Sequence, residues 1–188
     1  LANATADEAL VHGADAAKQA KEEALKELFI RLGENMAVEI KTLEGEGIGH
    51  YLHTNSKIGT LVTLEKSDEA TAKDIAMHIA AVNPPFLSRE TVPADSISRE
   101  RAIYEDQAKQ TGKPAPVIAK IVDGKMEKFY SDNCLLEQIF IKDPEGKQKI
   151  KNILKSATIN RFVRLQLGEG IERKKEDFAA EVAAQLQK

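Results

Sequence analysis

The run Ile75-Ala76-Met77-His78-Ile79-Ala80-Ala81-Val82-Asn83-Pro84-Pro85-Phe86-Leu87 marks a change of architecture. Apolar residues at Ala72, Ile75, Ala76 and Ile79 recur at helical spacing, so its first half reads as a helix with one buried stripe. Ser67 and Asp68 stand where a helix start is capped, and Pro84-Pro85 stops the helix. His78 sits one residue before the core position Ile79, on the flank of the stripe. A lone histidine at such a place is most often satisfied or solvated, and the alternative is a contact with a partner. Upstream of this helix the pattern is β; downstream it is charged helix. The chain therefore reads as α+β: a small antiparallel sheet packed with helices, with an inserted antiparallel, coiled-coil-like helical hairpin and a C-terminal helix.

Working upstream, residues 48–53 and 57–64 are two runs joined by Thr54-Asn55-Ser56, which predicts a β-hairpin. Val38, Ile40 and Thr42 alternate with Glu39 and Lys41, the pattern of a further half-buried strand, and Glu44-Gly45-Glu46-Gly47 reads as a turn. Residues 5–32 read as helix, with Ala20, Ala24, Leu25, Leu28 and Leu32 on one side and Lys18, Glu22 and Lys26 at pairing distance on the other. Gly33 is placed as its left-handed C-terminal cap.

Working downstream, residues 94–110 and 115–130 predict two helices joined by Thr111-Gly112-Lys113-Pro114. Their apolar seam is thin and their outer faces are charged. That suits an antiparallel hairpin that completes its burial against another copy, and periodicity leaves ordinary surface helices open as well. Residues 131–144 read as a connection holding the short apolar run Ile139-Phe140-Ile141, and residues 145–156 as a short helix. Val163, Leu165 and Leu167 alternate within a last strand, broken by Gly168-Glu169-Gly170. A final helix over about 174–187 carries Phe178, Val182 and Leu186.

The 188-residue chain has a net charge of −3, which argues against a dedicated nucleic-acid binder, whose footprint is a basic excess. No apolar run approaches the length that crosses a bilayer, and no secretory signal opens the chain. The single cysteine, Cys134, makes no internal disulfide, which fits a reducing compartment. The chain opens on leucine, so the expectation is a part of a longer translation product.

Chemistry-bearing motifs are missing from the sequence. There is no phosphate loop, no Gly-x-Gly-x-x-Gly and no His-Glu-x-x-His. His50 and His53 are three apart, so a regular strand turns them to opposite faces, and they make a poor metal pair. Cys134 has no local base and is a weak nucleophile candidate. The chain reads as a binding module rather than a catalyst, with no cofactor and no metal expected.

Several blocks go further than pattern. Gly33-Glu34-Asn35, Leu43-Glu44-Gly45, His53 with Ile58-Gly59-Thr60-Leu61-Val62, and Ile75 to Ala81 resemble elongation factor Ts. So do Gly112-Lys113-Pro114, Lys120 to Met126, Cys134-Leu135-Leu136-Glu137-Gln138 and Lys142-Asp143-Pro144. The ending, Gly168-Glu169-Gly170-Ile171-Glu172 and Asp177-Phe178-Ala179-Ala180-Glu181-Val182, is similar to the same family.

The resemblance implies a guanine-nucleotide exchange factor for elongation factor Tu, acting without bond chemistry in translation elongation. It implies that residues 1–46 are the end of a first core half, and that 47–81 with 131–170 form the second. Residues 82–130 would be an inserted dimerisation hairpin, and 171–188 a C-terminal helical module. The family's N-terminal helical domain and its Thr-Asp-Phe-Val-type motif, which reaches toward the nucleotide and magnesium of Tu, do not match this sequence. The fragment is therefore expected to dock but to accelerate exchange poorly.

By position, Leu32 and Gly33 match the helix end that approaches the nucleotide-binding domain of Tu, and Phe178 matches a module contacting the same domain. His53 and Ile141 match residues at the Tu interface, and His78 matches the histidine on the face toward Tu's third domain. Neither direct nucleic-acid nor membrane contact is implied. The compartment is the bacterial cytoplasm, or a mitochondrial matrix or chloroplast stroma if the source is organellar. The alternative is a self-associating adaptor of the translation machinery without exchange activity.

Overall fold

The structure, a computed structural model, describes residues 2–34 and 36–169. The predicted helix at the start is present as three pieces: α1 (Ala2–His12), α2 (Ala14–Ala20) and α3 (Glu22–Leu32). The breaks are backbone events. Gly13 has φ 88° and ψ 163°, a region open in practice to glycine alone, and Lys21 at φ −102°, ψ 1° leaves the helical well. Gly33 ends α3 in the left-handed conformation, its N–H donating to the Phe29 carbonyl at 2.8 Å. Although α3 is amphipathic, none of its side chains is buried among the described residues.

The sheet has three antiparallel strands in the order β1 (Gly47–Leu52), β2 (Ile58–Glu65) and β3 (Thr158–Gln166). Residues 38–42 are not a strand. Val38 and Ile40 are half-buried and Glu39 and Lys41 exposed, so the alternation is real, but the segment forms no ladder with the sheet. A strand needs a partner for its N–H and C=O groups as well as an alternating face.

Helix α4 (Glu69–Val82) packs on one face of this sheet. Asp68 caps its start, accepting from the Thr71 N–H at 2.7 Å. It ends one step earlier than the prolines would require, because Asn83 adopts the left-handed conformation and donates its N–H to Ile79 at 3.0 Å. The core is Val62 and Leu64 of β2, Ala72, Ile75, Ala76 and Ile79 of α4, and Leu135, Ile150, Leu154 and Ile159. Two details hold helix to sheet. Thr60 Oγ1 donates to the Ala76 carbonyl at 2.7 Å, and Gly49 lies so close under α4 that a Cβ there would overlap the Ala72 carbonyl.

Helices α5 (Ala94–Lys109) and α6 (Ala115–Asn133) form the antiparallel hairpin, with Gly112 at φ +66° in the turn. Its own small core is Ala108, Val122 and Met126, flanked by Ile97, Tyr104 and Ile118. At its root Phe86 and Cys134 pair side by side: Leu135 N–H donates to Phe86 at 2.9 Å, and Leu136 N–H to Leu87 at 3.0 Å.

The helix predicted over 145–156 shrinks to α7 (Ile150–Ile153). The Asp143 carboxylate accepts from the backbone N–H of Lys147 at 2.6 Å and of Gln148 at 2.7 Å, which commits the preceding segment to a loop.

Candidate partner-binding surface

The loop between the Leu135–Glu137 turn and α7 presents two large apolar side chains to solvent. Ile139 is 42% exposed and Ile141 53%, while Phe140 between them packs into the core. Such outward apolar residues on a built loop are where a partner gains contact area. The loop is pinned on both sides. Phe140 N–H donates to the Gln148 carbonyl at 2.8 Å, and Lys142 Nζ reaches Asp74 Oδ1 of α4 at 2.6 Å. The third tie is His78, whose Nδ1 lies 3.3 Å from the Ile141 N–H and accepts from it.

His78 is fully buried, with no accessible side-chain surface. This corrects the expectation that its ring touches a partner directly. It lies on the flank of the apolar stripe, and the 134–141 segment covers that flank: Gln138 Oε1 meets its Nε2 at 3.0 Å and Phe140 lies beside the ring at 6.1 Å. Burial pushes its pKa below the ordinary 6.5, opposed by the Gln138 hydrogen bond.

His53 follows the end of β1 in the β1–β2 turn. Its N–H donates to Ile58 at 2.9 Å, and its ring Nδ1 lies 3.2 Å from the Tyr51 hydroxyl. His50, by contrast, is exposed on β1 opposite Leu61. With Leu52, Leu61, Val163 and Leu165 it lines an apolar cleft of about 270 Å³ on the sheet face turned away from α4. Leu32 is 60% exposed beside the Gly33 cap. Phe178 lies outside the described residues.

Between loop and hairpin root sits a charge cluster that sequence reading missed. The Glu137 carboxylate is nearly buried and receives Lys149 Nζ at 2.8 Å, Lys151 Nζ at 3.0 Å and Arg89 Nε at 3.3 Å. Arg89 also clamps Glu127 with both terminal nitrogens at 2.7 Å and lies over the Tyr130 ring at 4.8 Å. Burial pushes the Glu137 pKa up, but the Lys149, Arg89 and Lys151 contacts outweigh it and hold the carboxyl at about 2. The neighbouring Cys134 is buried, which pushes its thiol above the ordinary value and removes it as a nucleophile candidate.

The fold is thus an α+β scaffold with an inserted helical hairpin and an apolar loop held rigidly at its edge. Residues 1–169 match the model of the family described as Elongation factor TS. The chain is 48% identical over 166 residues to the elongation factor Ts of Francisella tularensis subsp. novicida (strain U112), covering 88% of this chain and 57% of that protein. It is 47% identical over 168 residues to that of Hahella chejuensis (strain KCTC 2396), covering 88% of this chain and 58% of that protein. The chain belongs to the elongation factor Ts family, and it spans a little over half the length of these relatives.

Proposed function

We propose that this chain is the docking part of a guanine-nucleotide exchange factor for elongation factor Tu, serving translation elongation. The observation that carries the reading is the continuous family match across sheet, hairpin and loop. The exposed Ile141 and Leu32, the Gly33 helix end and His53 on the β1–β2 turn are the contacts proposed for Tu, with Phe178 a further one.

The mechanism is linkage and involves no bond chemistry. A factor that binds nucleotide-free Tu more tightly than GDP-loaded Tu weakens GDP by the same factor. Only contacts that differ between the two states of Tu promote release, after which GTP, in cellular excess, rebinds. The reading requires no cofactor or metal on this chain and no nucleic acid or membrane. The hairpin, residues 82–130, is the proposed homodimer contact; Ile103 and Val117 are exposed on it. The proposed compartment is the bacterial cytoplasm, or an organelle that keeps bacterial-type translation.

The test is stopped-flow release of a fluorescent GDP analogue from Tu, beside a pull-down of Tu on the chain. Capture of Tu with slow release is expected for this segment. Failure to capture Tu overturns the docking reading and leaves the adaptor reading in its place. Full-length-like acceleration overturns the expectation of poor exchange.

A further inference from the structure

The buried His78 has two polar ring atoms, and both are used. Gln138 fixes which does what. Its Nε2 donates to the Asp132 carbonyl at the end of α6 at 2.9 Å, so its Oε1 is the atom that faces His78 Nε2. An amide oxygen only accepts, so Nε2 of the ring carries the hydrogen. Nδ1 is left with a lone pair, and the Ile141 N–H points at it. Phe140 and Asp143 find main-chain partners for their N–H groups, at Gln148 and Phe140, whereas Ile141 donates to this side chain. The ring therefore joins three pieces: α4, the end of α6 through Gln138, and the loop that carries Ile139 and Ile141.

We propose that His78 is a positioning residue: its Nδ1 lone pair holds the Ile141 backbone so that the Ile139 and Ile141 side chains project outward together toward elongation factor Tu. The proposal rests on the docking reading above. It separates two jobs that an exposed histidine would have combined: Ile141 makes the contact, and His78 sets its geometry from inside the core. Preorganising a loop in its bound form lowers the ordering cost of association, so the effect falls on affinity without any atom of His78 touching the partner.

The two ring nitrogens allow a discriminating pair of variants. Asparagine places an acceptor near the position of Nδ1, whereas glutamine reaches the position of Nε2. His78→Asn is expected to keep the Ile141 bond and lose the Gln138 bond; His78→Gln does the reverse. Amide hydrogen exchange of Ile141 is read first, without any partner, with Val62 and Ile75 as core references. His78→Gln is expected to speed Ile141 exchange relative to the core by about three- to tenfold, the value of one hydrogen bond, and His78→Asn to leave it near wild type. Affinity for nucleotide-free Tu is read second, and is expected to fall by a similar factor in His78→Gln alone.

A general loss of packing would move both variants and the core references together. Equal Ile141 exchange in the two variants overturns the positioning role. Faster Ile141 exchange with unchanged Tu affinity overturns its link to binding. A wild-type chain that does not bind Tu overturns the docking reading alone, because the exchange arm needs no partner.

Discussion

Replacing Glu137 with glutamine is expected to destabilise the seat of the hairpin by on the order of 3 kcal/mol at neutral pH. The side chain is isosteric, so the perturbation is the charge. Glu137 is held at about 2 against an ordinary 4.5, and each unit of such a shift is worth about 1.4 kcal/mol of preference for the ionised form. Glutamine stands in for the protonated form and loses that preference. It also leaves Arg89, Lys149 and Lys151 converging on a neutral group. Those cations are partly exposed and turn to water in part, which makes the figure an upper bound. The assay is urea unfolding of wild type and Glu137→Gln across pH. The sign follows from the lowered value: the stabilisation is fully present above pH 4.5 and is lost as pH falls from there toward about 2. The gap between the proteins should therefore be widest at neutral pH and close in acid. A gap below about 0.5 kcal/mol at pH 7, or one that does not narrow in acid, refutes the reasoning, since surface pairs alone are worth that little.

Three other outcomes are expected. Gly49→Ala should lower unfolding free energy by about 1–3 kcal/mol in urea titration, because the new methyl meets the Ala72 carbonyl and α4 must lift from β1. Cys134 should resist a thiol-modifying reagent in the native protein and react only on unfolding, since it is buried and its thiol is held above the ordinary value by that burial. Acid should loosen the 139–142 loop before the core: a histidine with a lowered value stabilises the fold above the unfolded 6.5 and loses that contribution as pH falls below it. Protonated Nδ1 no longer accepts from Ile141, and the ion pair of Asp74 with Lys142 lies on the same α4–loop junction. Ile141 amide exchange corrected for intrinsic rate, followed from pH 7 to 5, checks this.

What could be read from sequence was what neighbours along the chain decide. The β1–β2 hairpin, α4 with its Asp68 cap, the α5–α6 pair and β3 are all written in short-range periodicity and turn residues. The breaks at Gly13 and Lys21 were hidden, because alanine-rich sequence on both sides is helix-permissive and one backbone angle decides the outcome. The 38–42 segment has the right alternation but no partner strand among the described residues, and a partner is not a local property. Distance along the chain also concealed the two polar constellations. His78 meets Gln138 across 60 positions and Ile141 across 63, so its flank position on the helix could not reveal its burial. Nothing in the local sequence sets the charge of Glu137 apart; Arg89 reaches it from the far side of the hairpin, and only the fold brings the three cations together. The family blocks compensate in part, since Cys134 to Gln138 is one of the stretches that resemble elongation factor Ts.

The pairing of Phe86 with Cys134 closes the ring of the core before the hairpin begins. In engineering terms it is a socket. Any module whose two ends lie side by side could replace the outer hairpin without stretching the sheet, as domain insertions succeed where both junctions are adjacent. The cut must fall beyond Arg89 on one arm and before Glu127 and Tyr130 on the other, so that the stub keeps its clamp on the core. A pair of fluorophores carried there would report on partner docking from a place that the proposed loop contact never touches.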